Sequence, residues 1–319
     1  MEPLRRQWAR VTDASTCALL NLAQWRHRHH ASTREELSAY LAACEPLTRE
    51  EFYAAPELAP LEESPVHLVW PTPHNSGLDH NDRASAWLQP CERGWSAPTV
   101  LILHALMSVN DVGYRRLAAR FNELGWNAVF LHLPFHYARR PRGFLNGELA
   151  VTANLVRNGH GLRQGVSELR QLMAWLRAQG CREFGIFGTS YGAWTGALLA
   201  SVETDISFIA LLQPIADVEH AIWQSPAGTT IRRLLQQNGI DGNMTRRHAH
   251  LSSPLHGKPA TDRDRIIMAI GAYDRIAPPD RVEALAEAWD GARVITSPQG
   301  HFGYVAARDM FAAVRTMIG

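Results

Sequence analysis

The chain predicts an α/β fold, a mostly parallel central sheet with helices on both faces, joined to an N-terminal helical and strand extension. Three observations predict it. From about residue 98 onward, short apolar runs alternate with amphipathic segments, the pattern of strands connected by covering helices. The runs themselves, such as Val100-Leu101-Ile102-Leu103 and Ile206-Ser207-Phe208-Ile209-Ala210-Leu211-Leu212, are four to seven residues long and almost wholly apolar, as strands buried on both faces must be. With 319 residues and 46% apolar content, the chain can bury a large core.

Taken in order, residues 1–95 are the least regular and read as decoration with leading edge strands. Leu19 to Trp25 and Glu35 to Ala43 have helical patterns, and Val66 to Trp70 and Ala84 to Leu88 read as antiparallel edge strands around the turn-rich 71–82. Residues 96–319 form the expected main α/β domain. Its first buried strand is Val100 to Leu103, followed by a helix around Tyr114 to Leu124 and a strand over Ala128 to Leu133 that Pro134 ends. Val166, Leu169, Leu172, Met173 and Leu176 recur at helical spacing, and Gly180 closes that helix. Strands are then expected at Phe184 to Phe187, Ile206 to Leu212, Ile266 to Ile270 and Val294 to Thr296, with helices over Pro279 to Trp289 and Val305 to Ile318. The interval 215–264 is too long for a simple connection and predicts a cap of helices over the site.

Composition removes several function classes. The formal net charge of +1 gives no electrostatic argument for nucleic acid or an anionic membrane surface. No apolar stretch is long enough to span a bilayer and Met1 to Arg10 lacks the apolar core of a secretory signal, so a cytoplasmic location is expected. The four cysteines, Cys17, Cys44, Cys91 and Cys181, form no C-x-x-C pair. Arg26-His27-Arg28-His29-His30 does not read as a metal site, because adjacent histidines on a helix diverge and no carboxylate or cysteine completes a set. No metal or organic cofactor is expected.

The chemistry lies in three short segments. Gly188-Thr189-Ser190-Tyr191-Gly192 places a serine between a strand pattern and the helix pattern of Ala193 to Ala200. Such a strand-turn-helix elbow thrusts Oγ clear of the backbone while the helix aims its first amides at a developing anion. Asp274 follows a buried strand in Gly271-Ala272-Tyr273-Asp274, and His301 sits between the last strand and the last helix in Gln299-Gly300-His301-Phe302. Strand carboxyl ends are where such sheets gather functional loops. A serine needs a base to take its proton and a carboxylate to orient that base. The order Ser190, Asp274, His301 supplies all three; Asp217, also just past a strand, ranks below Asp274 as the acid.

On these residues the chain, over about 98–319, resembles the α/β-hydrolase-fold serine hydrolases of the esterase and lipase type. The resemblance implies Ser190 as nucleophile, His301 as general acid/base and Asp274 as orienting acid. It also implies an oxyanion hole from the Leu106 and Tyr191 amides, with Met107 as fallback for Leu106, in His104-Ala105-Leu106-Met107, where Ala105 replaces the family's usual glycine. The implied reaction is hydrolysis of a carboxylic ester, thioester or amide through an acyl-enzyme, on a small-molecule substrate and with no cofactor. A homodimer remains open. Substrate contacts are expected from His104 and from His136, Arg139 and Arg140 in the loop after residue 133, unless these arginines pair with loop carboxylates such as Glu148. Trp223, Ile222, Leu234 and Leu235 are expected either to wall an acyl pocket or to pack the inserted helices. Two other functions share the pattern: a non-catalytic binding protein that keeps the elbow, and an acyltransferase using the same triad.

Overall fold

The computed structural model describes residues 2–319, with side chains from Leu4 onward. The N-terminal segment forms α1 (Glu2–Arg26), α2 (Arg34–Cys44) and the short α3 (Arg49–Phe52), then strands β1 (Glu62–Ser64), β2 (His67–Pro71) and β3 (Arg83–Gln89). The periodicity of residues 19–25 was thus the tail of a much longer helix. Thr33 and Thr48 each start their helix with a reciprocal capping box, to Glu36 and Glu51.

The remainder alternates as β4 (Thr99–Leu103), α4 (Val112–Glu123), β5 (Asn127–His132), α5 (Leu155–Ala178), β6 (Phe184–Thr189), α6 (Tyr191–Ala200) and β7 (Ile206–Leu212). Four short helices follow: α7 (Val218–Trp223), α8 (Thr229–Gln237), α9 (Gly242–Arg246) and α10 (Ala249–Ser252). The chain then returns to the sheet through β8 (Ile266–Gly271), α11 (Pro279–Ala288), β9 (Arg293–Ser297) and α12 (Val305–Ile318).

All nine strands form one sheet in the order β1-β2-β3-β5-β4-β6-β7-β8-β9. The first three pair antiparallel and β3 meets β5 antiparallel, while β4 through β9 are parallel. Alternation along the parallel strands divides the core into two layers. Leu101, Leu103, Val129 and Leu131 face α5 and α6, while Val100, Ile102, Ala128 and Phe130 join Phe121 of α4 and Phe311 of α12 on the other face. Among the described residues no helix is long and apolar enough to cross a membrane.

Candidate active site

The elbow is built by its small residues. Ser190 has φ 50° and ψ −108°, a left-handed conformation costly for a side chain with Cβ. It is held because the Ser190 amide donates to the Leu212 carbonyl at 2.8 Å. A Cβ on Gly192 would lie 2.3 Å from the Leu103 carbonyl oxygen, and one on Gly188 2.6 Å from Cα of Ala193. Glycine at both positions lets the first turn of α6 press against β4 and β6. Met107 and Gln213, at φ 53° and 50°, carry the same kind of strain beside it.

Ser190 Oγ lies 2.9 Å from His301 Nε2, and His301 Nδ1 lies 2.7 Å from Asp274 Oδ2. Since a carboxylate oxygen only accepts, Nδ1 carries the hydrogen and Nε2 presents a lone pair to the serine. Asp274 is held in turn: its Oδ1 accepts from the Ile276 and Ala277 amides at 2.8 and 2.9 Å, and its Oδ2 from Gln213 Nε2 at 3.2 Å. Gln213 also donates to the Gly300 carbonyl at 2.7 Å, tying the two loops together.

A second carboxylate supports the histidine loop from an unexpected quarter. Asp13 of α1 is buried, and its two oxygens accept from the His301 amide at 3.1 and 3.0 Å. A Cβ on Gly300 would lie 2.6 Å from either Asp13 oxygen, so glycine is what lets them approach. Burial raises the Asp13 pKa and the two amides oppose it, while nearby Asp274 raises it further. For His301, burial acts to lower the pKa, but the charge and hydrogen bond of Asp274, aided by Asp13, outweigh it and raise the value above the ordinary 6.5.

Leu106 and Tyr191 both line the cavity beside Ser190. Tyr191 opens α6, so its amide has no acceptor within the helix. Of the neighbouring loop amides, Ala105 donates to Tyr114 Oη at 2.9 Å and Met107 to His136 Nε2 at 3.3 Å. The fallback donor Met107 is therefore already engaged.

The residues expected to touch substrate are placed otherwise. His104 is fully buried, with Nδ1 donating to the Ala105 carbonyl and Nε2 accepting from the Leu133 amide. His136 likewise donates from Nδ1 to the Pro134 carbonyl and accepts at Nε2 from Met107. Burial pushes His136 down to about 4, with Arg139 adding to it, and lowers His104 well below its usual value, so both are neutral struts for the 104–107 loop. Arg139 is wholly buried in a two-pronged pair with Glu168, at 2.5 and 2.7 Å, and also donates to the Asn81 and His132 carbonyls. Glu148 instead faces Arg26 and His27, each at 3.0 Å.

Arg140 is exposed and lies away from the cavity. Trp223 donates from its indole to Thr245 Oγ1 at 3.0 Å and packs with Leu234 and Leu235 in a satellite core, leaving only Ile222 of that group on the cavity wall. Asp217 caps α7 by accepting from the His220 amide at 3.0 Å and faces Arg281, while His301 Nδ1 is taken by Asp274. Sequence reasoning missed Asp13 and Gln213. Asp13 carried one readable signal, a lone acid on the α1 face otherwise formed by Ala9, Cys17 and Leu20.

The cavity above Ser190 encloses about 810 Å³. Its roof is shared: Thr16 and Leu20 of α1 and Leu37 and Leu41 of α2 complete a wall that Ile222 and Ile231 close from the inserted helices. Among the described residues no group of three or more side chains could hold a metal ion.

This architecture, with a serine at the strand-to-helix elbow and a histidine and aspartate on later strand ends, is the α/β-hydrolase fold. The sequence model of the family described as "Alpha/beta hydrolase domain containing 18" matches residues 102–221. An uncharacterized protein of Mycobacterium tuberculosis is 28% identical over 208 residues, which are 62% of this chain and 47% of that protein. The chain thus spans about half the length of the curated relatives it matches. Among solved structures, an acetyl xylan esterase from Paenibacillus sp. R4 superposes with TM-score 0.57 at 13% identity, covering 90% of this chain and 96% of that one. A putative hydrolase from Agrobacterium vitis S4 gives 0.55 at 15% identity, covering 74% and 94%.

Proposed function

We propose that the protein is a serine esterase that cleaves carboxylic esters of apolar acyl groups through an acyl-enzyme on Ser190. The observation that carries the reading is the unbroken relay from Ser190 Oγ to His301 Nε2 and from His301 Nδ1 to Asp274, opening into an apolar cavity. His301 takes the serine proton as Oγ attacks the ester carbonyl, then returns it to the leaving alcohol. Water activated by the same imidazole releases the acid and regenerates the serine. The Leu106 and Tyr191 amides hold the oxyanion, each such donor being worth about 3 to 4 kcal/mol in the transition state.

The cavity argues for an acyl group larger than the acetyl named for the xylan esterase neighbours. Its volume of about 810 Å³ lies high in the range of about 300 to 1,000 Å³ usual for small-molecule sites, and an acetyl group would leave most of it unfilled. At about 0.8 kcal/mol per buried methylene, kcat/KM for aryl esters should rise up to about fourfold with each added carbon until the cavity is full. A preference for acetate over octanoate would refute this size argument. Labelling by a fluorophosphonate tests the reaction itself: wild type should label on Ser190, and a folded protein that does not label would favour a binding role.

Asp13 should act through His301. In Asp13→Asn the loop loses its charged acceptor and kcat/KM should fall between about 10- and 100-fold. The acid limb of the pH profile, set in the wild type by a His301 pKa above 6.5, should also move to lower pH, because a negative charge that favoured the imidazolium is gone. An unmoved limb would reduce Asp13 to a structural contact.

A further inference from the structure

Among the described residues, much of the outer face of α1 is left in water. Leu4, Trp8, Val11, Leu19, Leu22 and Trp25 are all exposed, Trp8 by 71%, Leu19 by 67% and Leu22 by 62%. At about 100° per residue they share one stripe roughly 30 Å long, opposite the buried Ala9, Asp13 and Cys17. An apolar stripe of this length left in water marks a contact surface.

Charge decides what covers it. Arg5, Arg10 and Arg28 are exposed along the same helix and the turn after it, and Arg233 lies over the Trp25 ring at 5.6 Å; Arg26 pairs with Glu148 at 3.0 Å, and Arg6 turns to the opposite face over the Tyr273 ring. The acids of α1 are Glu2 at its first position and the buried Asp13. The chain's overall charge of +1 conceals this local excess. A second copy packed on the stripe by two-fold symmetry would bring these arginines toward their own copies, with little on α1 to neutralise them. An anionic lipid surface supplies both an apolar layer and the negative charge, and tryptophans with arginines are the side chains suited to its boundary.

We propose that α1 docks the protein on an anionic lipid surface, with the stripe seated among the acyl chains and the arginines on lipid phosphates. The apolar surface continues toward the site. Leu4 and Trp8 share a cleft with Phe302, and Phe302 lines the main cavity together with Val109 and Tyr304, which are 94% and 92% exposed. Docking therefore sets the cavity opening close to the lipid.

The test is sedimentation of the 319-residue protein with vesicles of phosphatidylcholine alone or of equal parts phosphatidylcholine and phosphatidylglycerol. The protein should bind the anionic vesicles at least about tenfold more tightly, and high salt should release it. The double variant Leu19→Glu/Leu22→Glu, altered only at exposed positions, should bind at least about tenfold more weakly with an unchanged thermal melt. Wild-type protein that stays unbound, or anionic binding that the double variant retains, overturns the proposal. A dimer in light scattering that the double variant converts to monomer also overturns it, in favour of a second copy.

Discussion

Replacing Ser190 with alanine is expected to lower ester hydrolysis by about 10⁴- to 10⁶-fold and to abolish fluorophosphonate labelling, with little change in stability. The size follows from the proposed acyl-enzyme route: without the hydroxyl no acyl-enzyme would form, and only binding and the proposed oxyanion amides would remain. The variant also relieves nothing structurally, since the strained φ of 50° at position 190 is held by the backbone, through the Ser190 amide on the Leu212 carbonyl, and not by Oγ. His301→Ala should be nearly as severe, because the two residues act as a unit and their effects do not add. Steady-state hydrolysis of an aryl ester, measured beside a thermal melt, separates loss of chemistry from loss of fold. Activity in Ser190→Ala within tenfold of wild type would rule out the acyl-enzyme.

The largest effect on stability is expected at Arg139. Arg139→Met should destabilise the protein by about 3 to 5 kcal/mol, because it leaves the Glu168 carboxylate buried without its counter-charge and removes the guanidinium's hydrogen bonds to the Asn81 and His132 carbonyls. Burial already raises the Glu168 pKa, and the guanidinium is the chief force opposing that rise. The double variant Arg139→Met/Glu168→Leu should recover much of the loss, since removing both charges also removes their desolvation cost. Chemical denaturation of the three proteins measures this. A single variant as stable as wild type would mean that Glu168 finds another partner or a proton at little cost.

The parallel strands were legible because burial on both faces leaves little but apolar residues in them, and the elbow because its glycines and serine are local requirements of one turn. Asp274 and His301 were legible for a related reason: each sits just past a strand end, a position visible in the one-dimensional pattern. What stayed hidden depends on contacts between segments far apart. His104, His136 and Arg139 have the chemistry of ligand-binding residues, and only their enclosure by the 81–168 region turns them into internal braces. The same holds in reverse for Asp13, a single acid in a helix that nothing local connects to a histidine loop 288 positions later. The interval 215–264 was readable as too long for a simple connection, but the share of the cavity wall taken by α1 and α2 was not, because those segments meet the inserted helices only in three dimensions.

The bond between Asp13 and the His301 amide also orders events in time. Two segments 288 positions apart must meet before the imidazole loop is fixed. A nascent chain still short of residue 301 holds Ser190 without its His301 partner. Proteolytic removal of α1 after folding would leave serine, histidine and aspartate all present but the histidine loop unanchored. The proposed hydrolysis would thus be switched on only once residue 301 has met α1, and switched off by a single cut between α1 and the rest of the fold.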